Sequence, residues 1–355
     1  MRGNSQVRFL GGWVGAIPHG YPTVWVCSEA ESNQIDMKQL EEKFVAWANT
    51  RPDIRAAIVI GSRARVERPA DEWSDLDIIV FTTAPEYYLS KVDWLENIGT
   101  PLLNYVQDTP TGGQRERRAL FEGGLDVDFT IVSNAEAKSL LRFLQVRKRI
   151  PRLLQLLPKE KSRKIMREIA DFARTIRRGM RVLVDKDGVA VHLPLLNDDD
   201  WFFSSPPKPS QSEFLAVLNE FWYFAVLMTK KLRRGELWTA SRINNCSMKH
   251  LLLQMLEWHA RAINNWDYDT WHGGSFIEHW ADSRAVNALS NAFAHYDKED
   301  LRNSLWATLD TFRWLAVETA HRLDFPYPTV TDERVKGLLD QYLSEGTETP
   351  SDRGA

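Results

Sequence analysis

Apolar positions in the first half of the chain follow two rhythms. Met37, Leu40, Phe44 and Trp47 recur at three- and four-residue spacing in IDMKQLEEKFVAWANTRP, the period of an amphipathic helix, and Pro52 ends it. Short β-rich runs come next. AAIVI at 56–60 is stopped by Gly61, LDIIVF spans 76–81, and VDFTIV spans 127–132 with PLLNYV before it as a fourth strand. PEYYLSKVDWLENIG between them reads as helix. The pattern predicts a mixed α/β fold, a small sheet with helices packed on it.

After about residue 196 the rhythm becomes helical throughout, in SEFLAVLNEFWYFAVLMTKKLRRGEL, MKHLLLQMLEWHARAINNW and RNSLWATLDTFRWLAVETAHRL. The Pro- and Ser-rich NDDDWFFSSPPKPSQS marks the change. The expected organisation is an atypical leader at 1–36, an α/β domain at 37–195, a helical bundle domain at 196–330 and a C-terminal tail at 331–355. The polar SEGTETPSDRGA, without apolar periodicity, sets the reading of that tail. Nine of the 14 tryptophans lie beyond residue 200, which assigns most of them to the core of the helical domain.

Composition narrows the picture. The 355 residues leave room for two domains. With 45 Lys+Arg against 48 Asp+Glu, the net charge of −3 does not predict a nucleic-acid partner, so any charged ligand is met locally. Cys27 and Cys246 form neither a disulfide framework nor a paired metal motif, which suits the reducing cytoplasm. No run reaches the roughly 18 apolar residues of a membrane-spanning helix, and Pro18, His19 and Gly20 break the one leader-like stretch.

The chemistry concentrates in GSRARVERPADEWSDLDIIVF, Gly61 to Phe81. On a strand, residues i and i+2 share a face about 6.6 Å apart. Asp75 and Asp77 therefore project together, with Leu76, Ile78 and Val80 on the opposite side. Two carboxylates this close repel unless a cation neutralises them. Mg²⁺ suits them, since it takes oxygen ligands and completes its shell with substrate phosphates. A pair of such ions about 3.5–4 Å apart serves phosphoryl and nucleotidyl transfer. Gly61-Ser62 follows a strand directly, a place where backbone N–H groups and a hydroxyl can cradle phosphate, and Arg63 and Arg65 add positive charge. Downstream, GLDVDFTIV places Asp126 and Asp128 on one face with Thr130 and supplies a third carboxylate.

A strand, Gly-Ser, twelve residues, Asp-x-Asp on a strand and a later x-D-x-D strand together resemble the polymerase-β-type nucleotidyltransferase signature. Within that superfamily the chain is similar to the aminoglycoside 6-adenylyltransferases, the streptomycin adenylyltransferase family, from about Met37 to Pro328. The resemblance rests on GSR with SDLDIIVF, LDVDFTIV, LVDKDG at 183–188, the long helical segment ending in RRGEL, WHARAINNW, FIEHW and LDFPYP. It implies a nucleotidyltransferase sheet followed by a helical domain, with the active site in the cleft between them. Asp75, Asp77 and Asp128 would hold two Mg²⁺ ions, and Gly61, Ser62 and Arg63 would grip the ATP phosphates. Lys230 and Arg234, at the family's basic motif, would neutralise the triphosphate.

The implied reaction is attack by an acceptor hydroxyl on the α-phosphorus of ATP, with release of pyrophosphate. Asp128 is the leading base, with Glu220 or Glu213 as alternatives. For the acceptor, the long helix offers Glu213, Asn219, Glu220, Trp222 and Tyr223. Streptomycin carries two guanidinium groups, which carboxylates bind well; Asp198, Asp199, Asp200, Asp267 and Asp269 are further candidates. The chain departs from the family at Lys230-Lys231, at FWY and at WHGGS, all on the acceptor side. Other small molecules or a protein as acceptor, and a silent nucleotide-binding antitoxin-like module, are the competing expectations. The family pattern begins close to Met37, so the expectation is that Met37 is the biological start or that the leader at 1–36 is a dispensable extension. The scattered histidines are read as structural or surface residues.

Overall fold

The β-rich runs pair into one six-stranded sheet. The computed structural model describes residues 35–109, 114–149, 169, 172–193 and 207–344. The leader at 1–34, Asp198–Asp200 and the terminal residues 345–355 lie outside the described residues. In chain order the first unit contains α1 (Met37–Thr50), β1 (Ile54–Ile60), β2 (Leu76–Thr82), α2 (Pro85–Ser90), β3 (Pro101–Asp108), β4 (Arg115–Phe121), β5 (Leu125–Ser133), α3 (Asn134–Arg149) and β6 (Arg181–Asp185). The sheet order is β3-β4-β5-β2-β1-β6. Among the described strands β2 and β5 pair in parallel and the other neighbours are antiparallel.

Asp36 starts α1 with a capping box, its side chain accepting from Gln39 N–H while Gln39 reaches back. The helix lays Leu40, Phe44 and Ala48 on one face of the sheet, against Ala57, Val59, Ile78, Val80, Val127 and Phe129. Trp94 completes this core and stacks on Trp47 at 5.5 Å. On the other sheet face Ile58, Ile79 and Phe81 are also buried. The central strands are therefore covered on both sides, which is why their sequences read as continuous apolar runs.

Two strands and a helix break depart from the expectation. RERRALF at β4 has too many charges to read as strand, yet Arg117 is buried and donates to the carbonyls of Tyr88 and Leu89 at the end of α2. β6 occupies the LVDKDG stretch, where Asp187 pairs with Arg55 and with Lys138 Nζ at 2.7 Å. PEYYLSKVDWLENIG is not one helix: α2 stops at Ser90 and a separate 3₁₀ turn covers Asp93–Asn97.

The chain divides at Leu196/Asn197, and the second unit is helical. Its elements are α4 (Gln211–Arg233), α5 (Leu237–Arg242), a π turn (Ile243–Met248), α6 (Lys249–Ile263), α7 (Ser283–Ala292), α8 (Lys298–Leu323) and α9 (Thr329–Ser344), with short turns between. Phe214, Phe221, Met255, Leu305, Phe312 and Leu315 form its core, with Phe221 stacked on Phe312 at 3.6 Å. Trp222, Trp258, Trp266 and Trp280 are buried there, as the composition suggested, while Trp238 is exposed. Residues 331–344, assigned above to the tail, are instead the body of α9. Leu339 and Leu343 are buried, and Asp332 accepts from Arg313 at 2.6 Å, which anchors the segment to α8.

Candidate active site

The site begins where β1 ends. Gly61 turns the chain with φ +70°, and a Cβ there would lie 2.1 Å from Asp77 Oδ2, so both conformation and space demand glycine. Gly61–Arg63 forms a single 3₁₀ turn. The Ser62 hydroxyl is buried and has no hydrogen-bond partner. A buried orphan polar atom is costly, and one placed beside carboxylates in a phosphate-type turn fits a group that a ligand satisfies.

Arg63 has a different placement from the one its motif suggests. Its Nε donates to the Asp75 carbonyl at 3.0 Å and its Nη2 to the Ser74 carbonyl at 2.6 Å. Ala70 N–H also donates to the Ser62 carbonyl at 3.0 Å. The loop from Ala64 to Ser74 is thus pinned to the turn at both ends, and Arg63 fixes where Asp75 enters β2. At the end of the loop Asp71 Oδ1 accepts from Trp73 N–H and Ser74 Oγ.

Asp75 immediately precedes β2 and Asp77 is its second residue, opposite Ile60 on β1 and Asp128 on β5. Oxygen atoms of Asp75, Asp77 and Asp128 lie within 4.8 Å of one another. Burial, reinforced by Asp75 and Asp128, pushes the Asp77 carboxyl up to about 7. Asp75 is also raised, by burial and then by Asp128, and Asp126 moves the same way for the same two reasons. Three crowded carboxylates with an all-oxygen donor set fit a hard divalent cation, which would oppose these shifts by favouring the ionised carboxylates.

Two further arginines contribute to the surroundings, of which the sequence had singled out Arg65 but not Arg118. Arg118 on β4 forks onto Asp128, its Nε 2.7 Å from each carboxylate oxygen. That contact raises the guanidinium pKa above its ordinary value. The signal was present in the sequence as an arginine in RERRALF, but only the β4–β5 register brings it to Asp128. Burial, and then Arg178, lower the pKa of Arg65, which follows the Gly61–Arg63 turn by two residues.

The structure thus brings Gly61, Ser62, Arg63, Asp75, Asp77 and Asp128 together. The remaining assigned residues belong to the helical unit. Glu213 is the third residue of a capping box, and Ser210 N–H donates to its carboxylate at 2.7 Å. Asn219, Glu220 and Lys230 are exposed. Tyr223 is 66% exposed, whereas Trp222 is only 4% exposed and packs edge-on against Tyr327. The boundary of the core therefore runs between these two neighbours. Arg234 and Lys231 share Glu236, whose oxygens pair with one each. Asp267 and Asp269 are exposed, and His259 is buried against Glu318.

The sequence profile of the family described as "Streptomycin adenylyltransferase" matches residues 36–342. A Bacillus subtilis (strain 168) protein named aminoglycoside 6-adenylyltransferase is 21% identical over 313 residues, 86% of this chain and 98% of its own length. A Campylobacter jejuni protein of the same name is 24% identical over 307 residues, 85% of this chain and 94% of its own. The crystal structure of an aminoglycoside 6-adenyltransferase from Bacillus subtilis aligns with 87% of this chain and 99% of its own, at 19% identity and a TM-score of 0.38.

Proposed function

The chain belongs to the streptomycin adenylyltransferase family, a family of transferases, and from that premise we propose that it transfers AMP from ATP to a hydroxyl of an aminoglycoside. The 6-hydroxyl of streptomycin is the proposed acceptor. The observation that carries the reading is the convergence of Asp75, Asp77 and Asp128 beside the Gly61–Ser62 turn, within the span that the family profile matches.

In this reading the acceptor oxygen forms a bond to the α-phosphorus of ATP, the bond to the β-phosphate bridging oxygen breaks, and pyrophosphate leaves. Gly61 permits close approach of backbone to phosphate, and the Ser62 hydroxyl gains the partner it lacks. Arg63 holds the entry of β2 so that Asp75 and Asp77 keep their common face. Asp75, Asp77 and Asp128 are the residues that would hold Mg²⁺, which supplies charge neutralisation on the phosphates and activation of the attacking oxygen. Asp128 is assigned the proton of the acceptor hydroxyl, through the lone pair that its three bonds from Arg118 leave free. Lys230 and Arg234 are assigned to the triphosphate on the family motif, and Glu213, Asn219, Glu220, Trp222 and Tyr223 to the acceptor. Among these, Asn219, Glu220 and Tyr223 are exposed, whereas Trp222 is largely buried and would act from the edge of the core.

The test is pyrophosphate release with ATP, Mg²⁺ and streptomycin in the Asp75→Ala and Asp77→Ala variants. Each removes a carboxylate at the start of β2 that no apolar core contact depends on, so the fold stays while turnover falls by at least ~10²–10³. Turnover near wild type in both variants contradicts the assignment.

A further inference from the structure

Five strands contribute one residue each to a single cross-strand row: Tyr105 on β3, Arg118 on β4, Asp128 on β5, Asp77 on β2 and Ile60 on β1. Within that row Asp128 and Asp77 stand directly opposite one another, an arrangement in which like charges repel. Asp128 is also the most buried of the three acidic residues, at 4% exposed. A buried carboxylate persists in ionised form only when it is paired. Arg118 supplies the pair, with Nε at 2.7 Å from both oxygens and Nη2 donating to Oδ2.

Arg118 is itself held. Tyr105 stands opposite it on β3, and Glu116 Oε1 lies 3.9 Å from its Nε while accepting from Gln107 Nε2 at 2.6 Å. The guanidinium thus sits between residues of β3, β4 and β5, with its hydrogen bonds directed to Asp128. A planar fork held in this way fixes the plane of the carboxylate it grips, something a point charge such as lysine cannot do. Hydrogen-bond partners behind metal-binding carboxylates commonly set their orientation and affinity.

We infer that Arg118 is the positioning residue of the acidic site: it fixes Asp128 in the orientation from which Asp128, Asp77 and Asp75 share a divalent cation. The inference rests on the proposed metal dependence of the site but not on the identity of the acceptor. Its rival is that Arg118 is a counterion that the cation displaces, and the two accounts differ in sign. A positioning fork, once removed, weakens cation binding. A competing positive charge, once removed, strengthens it.

The experiment titrates Mn²⁺ into the full-length protein without nucleotide or acceptor, followed by electron paramagnetic resonance, for wild type, Arg118→Ala, Arg118→Lys, Asp128→Ala and the Arg118→Ala/Asp128→Ala double variant. Thermal unfolding of each verifies the fold, and Arg118→Lys keeps the charge should the alanine variant fail to fold. The inference predicts that both Arg118 variants bind Mn²⁺ roughly tenfold or more weakly. It also predicts that Arg118→Ala has no further effect once Asp128 is alanine, because the arginine acts only through that carboxylate. Tighter binding by Arg118→Ala with unchanged binding by Arg118→Lys overturns it. So does an equal loss in the Asp128→Ala background. A wild-type protein that binds no Mn²⁺ overturns the metal-dependent reading and this inference together, whereas wild-type binding with unaffected Arg118 variants removes the inference alone.

Discussion

At the scale of single residues the chemistry is set by where charge is left uncompensated. Asp77 carries the largest burden: burial and its two acidic neighbours push its carboxyl up to about 7 in the absence of a cation. In the unfolded chain the same group keeps its proton only below about pH 4. Between those values the folded state binds more protons than the unfolded state, so this group's contribution to stability falls as pH rises. Metal-free protein is therefore expected to lose up to a few kcal/mol from this group between about pH 4 and pH 8. Mg²⁺ should raise the unfolding midpoint at pH 8 more than at pH 5, and Asp77→Asn should flatten both effects. A midpoint at pH 8 that ignores Mg²⁺ contradicts the account. The three carboxylates and the glycine were legible in the sequence, because a period of two puts Asp75 and Asp77 on one face and a Gly after a strand marks a turn. The role of Arg63 was not. Its guanidinium spans twelve residues to hold backbone carbonyls, and a motif cannot distinguish that contact from a bond to phosphate.

At the scale of elements the legible parts are those with clean apolar periodicity: α1, β1, β2, β5 and the long helices. β4 was not legible. Its charged residues are satisfied by partners on other elements, Arg117 by carbonyls of α2 and Arg118 by Asp128 on β5. β6 is short, and what secures it is the turn that follows. Asp187 there gathers Arg55 from β1 with Asn134 and Lys138 from α3, and these bonds hold its carboxyl well below the usual range. Asp187→Ala leaves this set of donors without its shared acceptor. The expected result is a loss of about 1–3 kcal/mol in chemical denaturation, with little change in the local surroundings of the acidic site. A variant as stable as wild type would remove β6 from the list of features that secure the sheet edge. α9 escaped the sequence reading because its apolar positions are sparse, and its anchoring bond comes from Arg313 on α8.

At the scale of the whole molecule the chain joins an α/β unit that carries the acidic site to a helical unit with its own aromatic core. Among the described residues no helix is long and apolar enough to cross a membrane. The net charge of −3 supplies no overall bias toward an anion, so in the proposed reaction local groups, the arginines near the Gly61–Arg63 turn and the carboxylates beside it, would discriminate between a polyanionic nucleotide and a cationic acceptor. The division into two kinds of structure was legible from the change in hydrophobic rhythm near residue 196, since a period of two and a period of 3.6 cannot be confused over long segments. The acceptor was less legible, since Trp222 and Tyr223 are adjacent in sequence yet one is core and the other surface. The central claim is adenylyl transfer to streptomycin. Its most direct test is incubation of the purified protein with ATP, Mg²⁺ and streptomycin, followed by pyrophosphate detection and mass analysis of the drug. The account predicts pyrophosphate together with streptomycin bearing one AMP; unmodified streptomycin without pyrophosphate would contradict it.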